Sequence, residues 1–224
     1  MTSTRLRGLA GLAVAATVLL TGCDDVPALN PGVAARVGDE TISMSTVDDV
    51  STSYCQFAEP QLQEGQVLAQ NYLRGQVAGS LALRAAADQF AADHGVTADP
   101  SYDQAVEQAE QGLQDVPEAQ RQAVIDVQGA DPYVQAVERS VGAALGTSGG
   151  GRAEVAAGRK DFLAWLDDHD IRIDPRFGVS IDSGAAAVTD TSLSHAVSDT
   201  ATRASAEQQD TDYAGSLPET QRCG

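Results

Sequence analysis

The sequence predicts a mainly α-helical domain completed by a small antiparallel β-sheet, built from an N-terminal hairpin and a return strand late in the chain. Three observations lead there. Residues 33–45 alternate like two short strands around Gly38-Asp39 and then run into a capped helix. Long stretches rich in Ala, Gln, Glu and Leu follow, with aromatic residues at only 4%, which is the composition of helices. Residues 171–181 then return to alternation with β-branched side chains, as a strand does. Two strands alone are marginal in water, so the hairpin needs this third strand or a helical cover.

The first 22 residues stand apart from the fold. Arg5 and Arg7 precede an apolar run over residues 9–20, which is too short to span a bilayer as a mature helix and has the layout of a secretory signal. It ends in Leu20-Thr21-Gly22-Cys23. An aliphatic residue, two small ones and Cys resemble the lipobox of bacterial lipoprotein signals. That resemblance implies cleavage before Cys23 and a lipid on its sulfur. The alternative is an ordinary export signal with a chance cysteine. A diacylglyceryl group would bring two acyl chains, enough for stable anchoring where one is marginal. Residues 23–32, with Pro27 and Pro31, then read as a tether from the cell membrane to an extracytoplasmic domain.

In the hairpin, Gly38 stands where a type II′ turn needs positive φ. That register sets Val37 opposite Glu40 and Ala35 opposite Ile42. Val33, Ala35, Val37, Ile42 and Met44 would then share one apolar face. Ser45 reads as the cap of the first helix, with Asp48 completing a near capping box. Val47, Val50, Tyr54, Phe57 and Ala58 make its stripe, and Pro60 ends it.

A long helix is expected over 61–93, with Leu73, Val77, Leu81 and Ala85 on one face. Gly75, Gly79 and Ser80 weaken its middle and predict a kink or a break there. Gly95 reads as its C-terminal cap, and Asp99-Pro100 and Asp131-Pro132 as N-cap and first helical position of two further helices. Pro117 opens another helix reaching Gln128, and the helix from Pro132 stops at the Gly-rich run 147–151. A last helix over 153–168 would bury Val155, Phe162, Leu163 and Leu166. Pro175 must fall at an edge, a bulge or the end of the return strand. Beyond Asp182 the composition turns to Ser, Thr, Ala, Asp and Gln, and residues 183–209 read as disordered because they cannot bury enough surface to offset ordering.

The order of these pieces resembles the N-terminal domain of SurA-like chaperones and PrsA-like foldases. The matching residues are Ala35-Arg36-Val37-Gly38-Asp39-Glu40-Thr41-Ile42, Ser45, Val47-Asp48, Ala86-Ala87, His94-Gly95-Val96-Thr97 and Asp174-Pro175-Arg176-Phe177-Gly178. The likeness covers about residues 33–96 and 171–178, and the middle by helical character alone. It implies a domain over 33–182 with helices around a peptide-holding cradle, followed by a tail over 183–224. Isomerase members of that family insert a parvulin domain before the return strand. Residues 97–170 hold neither its histidines nor its Gly-rich core, so isomerase activity is not implied.

Two readings of function follow. One is a lipid-anchored chaperone-like protein binding unfolded or exported polypeptides without chemistry. The other is an interaction lipoprotein serving one folded envelope protein. An apolar groove favours the first, and a filled, polar cradle the second. Tyr54, Phe57, Tyr72 and Phe90 are candidates to line a peptide groove, although their helical spacing also suits a core.

The net charge of -18 leaves no footprint for nucleic acid. No cofactor or metal is called for. Gly146-Thr147-Ser148-Gly149-Gly150 matches G-x-S-x-G but lacks the preceding strand that a nucleophile elbow requires. His94, His169 and His195 lack ligand spacing, and Asp167-Asp168-His169-Asp170 lacks the pattern of a calcium loop. With Cys23 lipidated, an exported chain is left with Cys55 and Cys223, which are expected to oxidise. A bridge within one chain would tie back the tail, and a bridge between two chains would give a dimer.

Overall fold

The computed structural model describes residues 31–189, 197–204 and 210–224. The chain divides into two units, Met1–Asn30 and Pro31–Gly224, and the described residues belong to the second. It is mainly helical with small antiparallel sheets.

The hairpin pairs β1 (Val33–Val37) with β2 (Glu40–Ser43), with Val37 opposite Glu40 and Ala35 opposite Ile42 as predicted. Gly38 has φ +53° at the turn. The shared face is not the predicted one at its open end. A bulge between Val33 and Ala35 places Val33 opposite Ser43. The extra residue breaks the alternation, so Ala34 and Ala35 are both buried while Val33 and Met44 are half-buried. The return strand β4 (Ile171–Ile173) pairs antiparallel with β1, Val37 opposite Ile171 and Ala35 opposite Ile173. The sheet order is β2-β1-β4.

Helix α1 (Met44–Ala58) is capped by Ser43 rather than Ser45. The Ser43 hydroxyl accepts from the Thr46 amide at 3.0 Å. Asp48 is no capping partner, because its carboxylate reaches across to Arg74 at 2.6 Å.

The expected helix over 61–93 begins nine residues late, as α2 (Gln70–Asp93). A short 3-10 turn at Glu59–Gln61 follows α1, and Leu68–Ala69 forms strand β3. Pairing of β3 with the far C-terminus withdraws this segment from the helix. Nor does α2 break at its glycines. A β-carbon on Gly75 would stand 2.6 Å from the Phe177 carbonyl oxygen, and one on Gly79 would stand 2.7 Å from Ala186 Cβ. Those positions are bare because the segment after β4 lies on them, with backbone at Gly75 and the Ala186 methyl at Gly79.

The remaining helices are α3 (Ser101–Gly112), α4 (Glu118–Gln128), α5 (Ala130–Ala144) and α6 (Gly151–Asp168). Helix α5 starts two residues before Pro132, with Gly129 alone separating it from α4. Helix α3 likewise departs from the expected Asp99-Pro100 start: Pro100 stands at its N-cap with no side-chain cap, and Asp99 accepts from the Ser101 amide at 3.0 Å in the turn before it. Helix α2 is the axis of the core. Its Val77, Leu83 and Phe90 are buried with Val47 of α1, Val137 and Val141 of α5, and Phe162 of α6. Each fully buried side chain of this size contributes roughly 1.5–3 kcal/mol. Val155, Leu163 and Leu166 of α6 are half-buried, and Trp165 shares the core in their place.

After Pro175 ends β4, a 3-10 turn at Pro175–Phe177 leads to β5 (Val179–Asp182). The disorder expected from Ser183 fails at once. Ser183-Gly184 is a two-residue turn, and β6 (Ala185–Val188) pairs back, Asp182 opposite Ala185 and Val179 opposite Val188. Small side chains suit β6 because it lies directly over Gly79 of α2. Residues 190–196 and 205–209 of the expected disordered segment lie outside the described residues. Between and after them come α7 (Asp199–Ala204), α8 (Thr211–Ser216) and β7 (Arg222–Cys223).

Candidate functional site

Cys23, the expected lipidation position, lies outside the described residues. Cys55 and Cys223 are joined by a disulfide, with Cα atoms 5.7 Å apart. The bond fastens the C-terminus to α1 at the point where the chain leaves that helix for the 62–69 segment. Leu68 pairs with Cys223 and Ala69 with Arg222. Above this pair, α8 sets Ala214, Tyr213 and Leu217 on Val67, Ala69 and Tyr72, a small apolar cluster separate from the main core. Asp210 caps α8 by accepting from the Tyr213 amide at 2.8 Å. Arg222 Nη1 donates to the Gly215 carbonyl at 3.1 Å.

The four aromatic candidates for a groove do not converge. Phe90 is fully buried, in ring contact with Phe162 at 5.0 Å and Trp165 at 6.0 Å between centroids. Tyr54 and Phe57 are half-buried neighbours on α1, 6.3 Å apart. Helix α4 lies along α1, and Gln128 Nε2 donates to the Tyr54 hydroxyl at 2.9 Å. Tyr72 belongs to the cluster under α8.

Two polar clusters escaped the sequence reading. Glu138 of α5 is 1% exposed and accepts from Arg159 Nη1 at 3.2 Å. The other guanidinium nitrogen, Nη2, donates to the Ser183 carbonyl at 2.6 Å. Burial raises the Glu138 carboxyl above its ordinary pKa, and Arg159 offsets this only in part. The pair therefore ties the β5–β6 turn to the α5–α6 pair. In the second cluster the Arg84 guanidinium lies over Tyr102 at 5.4 Å and Tyr133 at 4.6 Å. Arg84 Nη1 donates to the Tyr102 hydroxyl at 2.7 Å, and the Tyr133 hydroxyl donates to Asp88. Burial, then Asp88, raises the Tyr133 phenol well above its usual range, which keeps it a donor. Both clusters are closed sets of satisfied partners, joining elements rather than presenting reactive groups. No local pattern marks them, because their members come from different helices.

The motifs set aside on sequence fall in structural positions. Residues 146–150 join α5 to α6 with no strand before them. His94 Nε2 meets Asp161 at 3.0 Å. His169 stacks on Trp165 at 3.8 Å and donates from Nδ1 to its carbonyl at 2.7 Å. Trp165 Nε1 donates to Asp93 at 2.8 Å. His195 lies outside the described residues, among which there is no group of three or more His, Cys, Asp and Glu placed to hold a metal ion. No helix among the described residues is long and apolar enough to cross a membrane.

No protein-family model, curated protein or solved structure matches the chain.

Proposed function

We propose that the protein is an extracytoplasmic interaction module, held at the cell membrane by a lipid on Cys23, that serves one folded envelope partner and performs no chemistry. One observation carries the choice between the two readings. Among the described residues, the large apolar side chains left exposed are Leu145 and Val197, at 54% and 96%. A protein that holds unfolded chains needs a contiguous apolar patch on the order of 500 Å². A folded partner needs no such patch, since interfaces of that kind are no more apolar than ordinary surface. Helix α4 lies against α1, with Gln128 Nε2 donating to the Tyr54 hydroxyl at 2.9 Å, so Tyr54 already has a partner within the domain. The order of hairpin, long helix and returning strand supports the SurA-like scaffold.

The rival reading, capture of unfolded polypeptide, has one observation in its favour. Val67, Ala69 and Tyr72 form an apolar shelf, which lies under α8. Two measurements separate the readings: aggregation of an unfolded client in the presence of the protein, and pull-down from envelope extract. The expected result is one saturable partner and an unchanged aggregation rate. Suppression of aggregation at equimolar protein, with no discrete partner, overturns the proposal.

A further inference from the structure

The C-terminal segment 210–224 is attached largely apart from the main core. Its apolar residues, Tyr213, Ala214 and Leu217, pack on Val67, Ala69 and Tyr72, which form a cluster apart from the main core. Its strand is the two-residue pair of β7 with β3. The terminal Gly224 lies against Leu62 and the Gln66 carbonyl, without room for a side chain. Only Cys223 reaches the main core, where it is 1% exposed and bonded to Cys55. One covalent bond thus holds a segment whose non-covalent attachment is a satellite. Such pieces open locally at a small fraction of the global unfolding free energy.

We propose that residues 210–224 are a redox-released strap. With the bond intact the strap covers the β3 edge and the Val67, Ala69 and Tyr72 shelf. With the bond reduced it leaves as a unit, and the helical body stays folded. The body keeps its fold because, Cys223 apart, the contacts that define it, from β1 through α6 to β4, are made without the strap.

The release needs a dithiol reductant. Cys55 is half-buried and Cys223 is buried, so the attack is written on the sulfur of the less buried residue, Cys55. One thiolate of the reductant attacks it, forming a mixed disulfide. The Cys55–Cys223 bond breaks, and its electron pair leaves on Cys223, which takes a proton from water. The second thiol of the reductant then closes on the first and frees Cys55. The protein disulfide is reduced to two thiols, and the dithiol is oxidised to its own disulfide.

Hydrogen–deuterium exchange on the folded full chain tests this, with and without dithiothreitol. The Cys223→Ser variant serves as a form that cannot be bridged. Near-UV circular dichroism of Trp165, the single tryptophan, reports the body. In both the reduced protein and Cys223→Ser, exchange should rise at least tenfold in residues 210–224 and 67–72, with the Trp165 signal unchanged. Unchanged protection of 210–224 in both forms overturns the proposal. So does loss of the Trp165 signal, which would make the strap part of the cooperative core.

Discussion

Gly158 of α6 lies directly against the main-chain carbonyl of Glu138 on α5, and a β-carbon there would overlap that oxygen. The contact is reciprocal, since Gly142 of α5 meets the Glu154 carbonyl of α6 in the same way. The two helices touch backbone to backbone at two points. Glu138 is buried at one of them, so its carboxylate is enclosed by the same approach that excludes a side chain at Gly158.

Gly158→Ala should therefore destabilise the fold. Alanine gains about 1 kcal/mol over glycine in a helix interior. The neighbour here is backbone and cannot swing aside, so the helices must separate. The overpacking cost of about 1–3 kcal/mol, or more where backbone is forced apart, outweighs the propensity gain. Urea denaturation should show a net loss of at least about 1 kcal/mol, and Gly142→Ala should match it. An unchanged midpoint for both variants would contradict the reciprocal contact.

The Glu138–Arg159 pair predicts a pH signature. Burial raises the folded carboxyl above its ordinary value of 4.5. The unfolded chain then releases this proton at lower pH than the fold does. Stability falls as pH rises from the ordinary value through the folded one, and is level above it. Glu138→Gln removes the titration, so its stability relative to wild type should increase across that window. Arg159→Ala should cost about 2–3 kcal/mol at neutral pH, the loss of a charged hydrogen bond to a buried group. It also frees the turn at Ser183. Chemical denaturation between pH 4 and 8 checks both.

Much of the architecture is legible in the sequence where the causes are local. Gly38-Asp39 and the flanking alternation set the hairpin register, and Ile171-Arg172-Ile173 shows its strand character without reference to β1. Several of the larger errors arise where the cause is distant. Residues 62–69 have helical composition, and what takes Leu68 and Ala69 out of a helix is pairing with Arg222 and Cys223. Gly75 and Gly79 were legible as missing side chains. A kink and a close approach make the same demand on sequence, and only the position of Phe177 and Ala186 distinguishes them. Ala185-Ala186-Ala187 looks too small to order until Gly79 supplies a surface close enough to meet it. Glu138 sits among valines and alanines with nothing nearby in sequence to announce Arg159.

Asp174 gives a second, opposite pH dependence. Its carboxylate accepts from Arg176 Nε and from the Arg176 amide, both at 2.9 Å, at the turn that follows β4. The Arg176 side chain is the main reason its pKa lies below the ordinary 3.8. The stabilisation is present above that value and is lost as pH falls through the depressed one. Asp174→Ala should cost about 1 kcal/mol at neutral pH, as loss of a cap does. The difference from wild type should shrink as the solution is acidified below about pH 4. A difference that stays constant to pH 2 would assign the effect to the turn's backbone instead.

The membrane anchor is the prediction on which the proposed location depends. The lipid is proposed from Leu20-Thr21-Gly22-Cys23 and its resemblance to a lipobox. Burial of an acyl chain contributes about 0.8 kcal/mol per methylene, so one chain gives reversible binding and two give a stable anchor. No helix among the described residues is long and apolar enough to cross a membrane. Cys23→Ala should therefore move the protein from the membrane fraction to the soluble one, or leave it unprocessed with its signal attached. Fractionation together with intact mass separates these outcomes: the wild type should carry two acyl chains on its first residue, and the variant none. A variant that stays with the membrane although its signal is cleaved and no acyl mass is present would mean that the domain itself, or a partner, makes the attachment. The lipid reading of Cys23 would then be wrong.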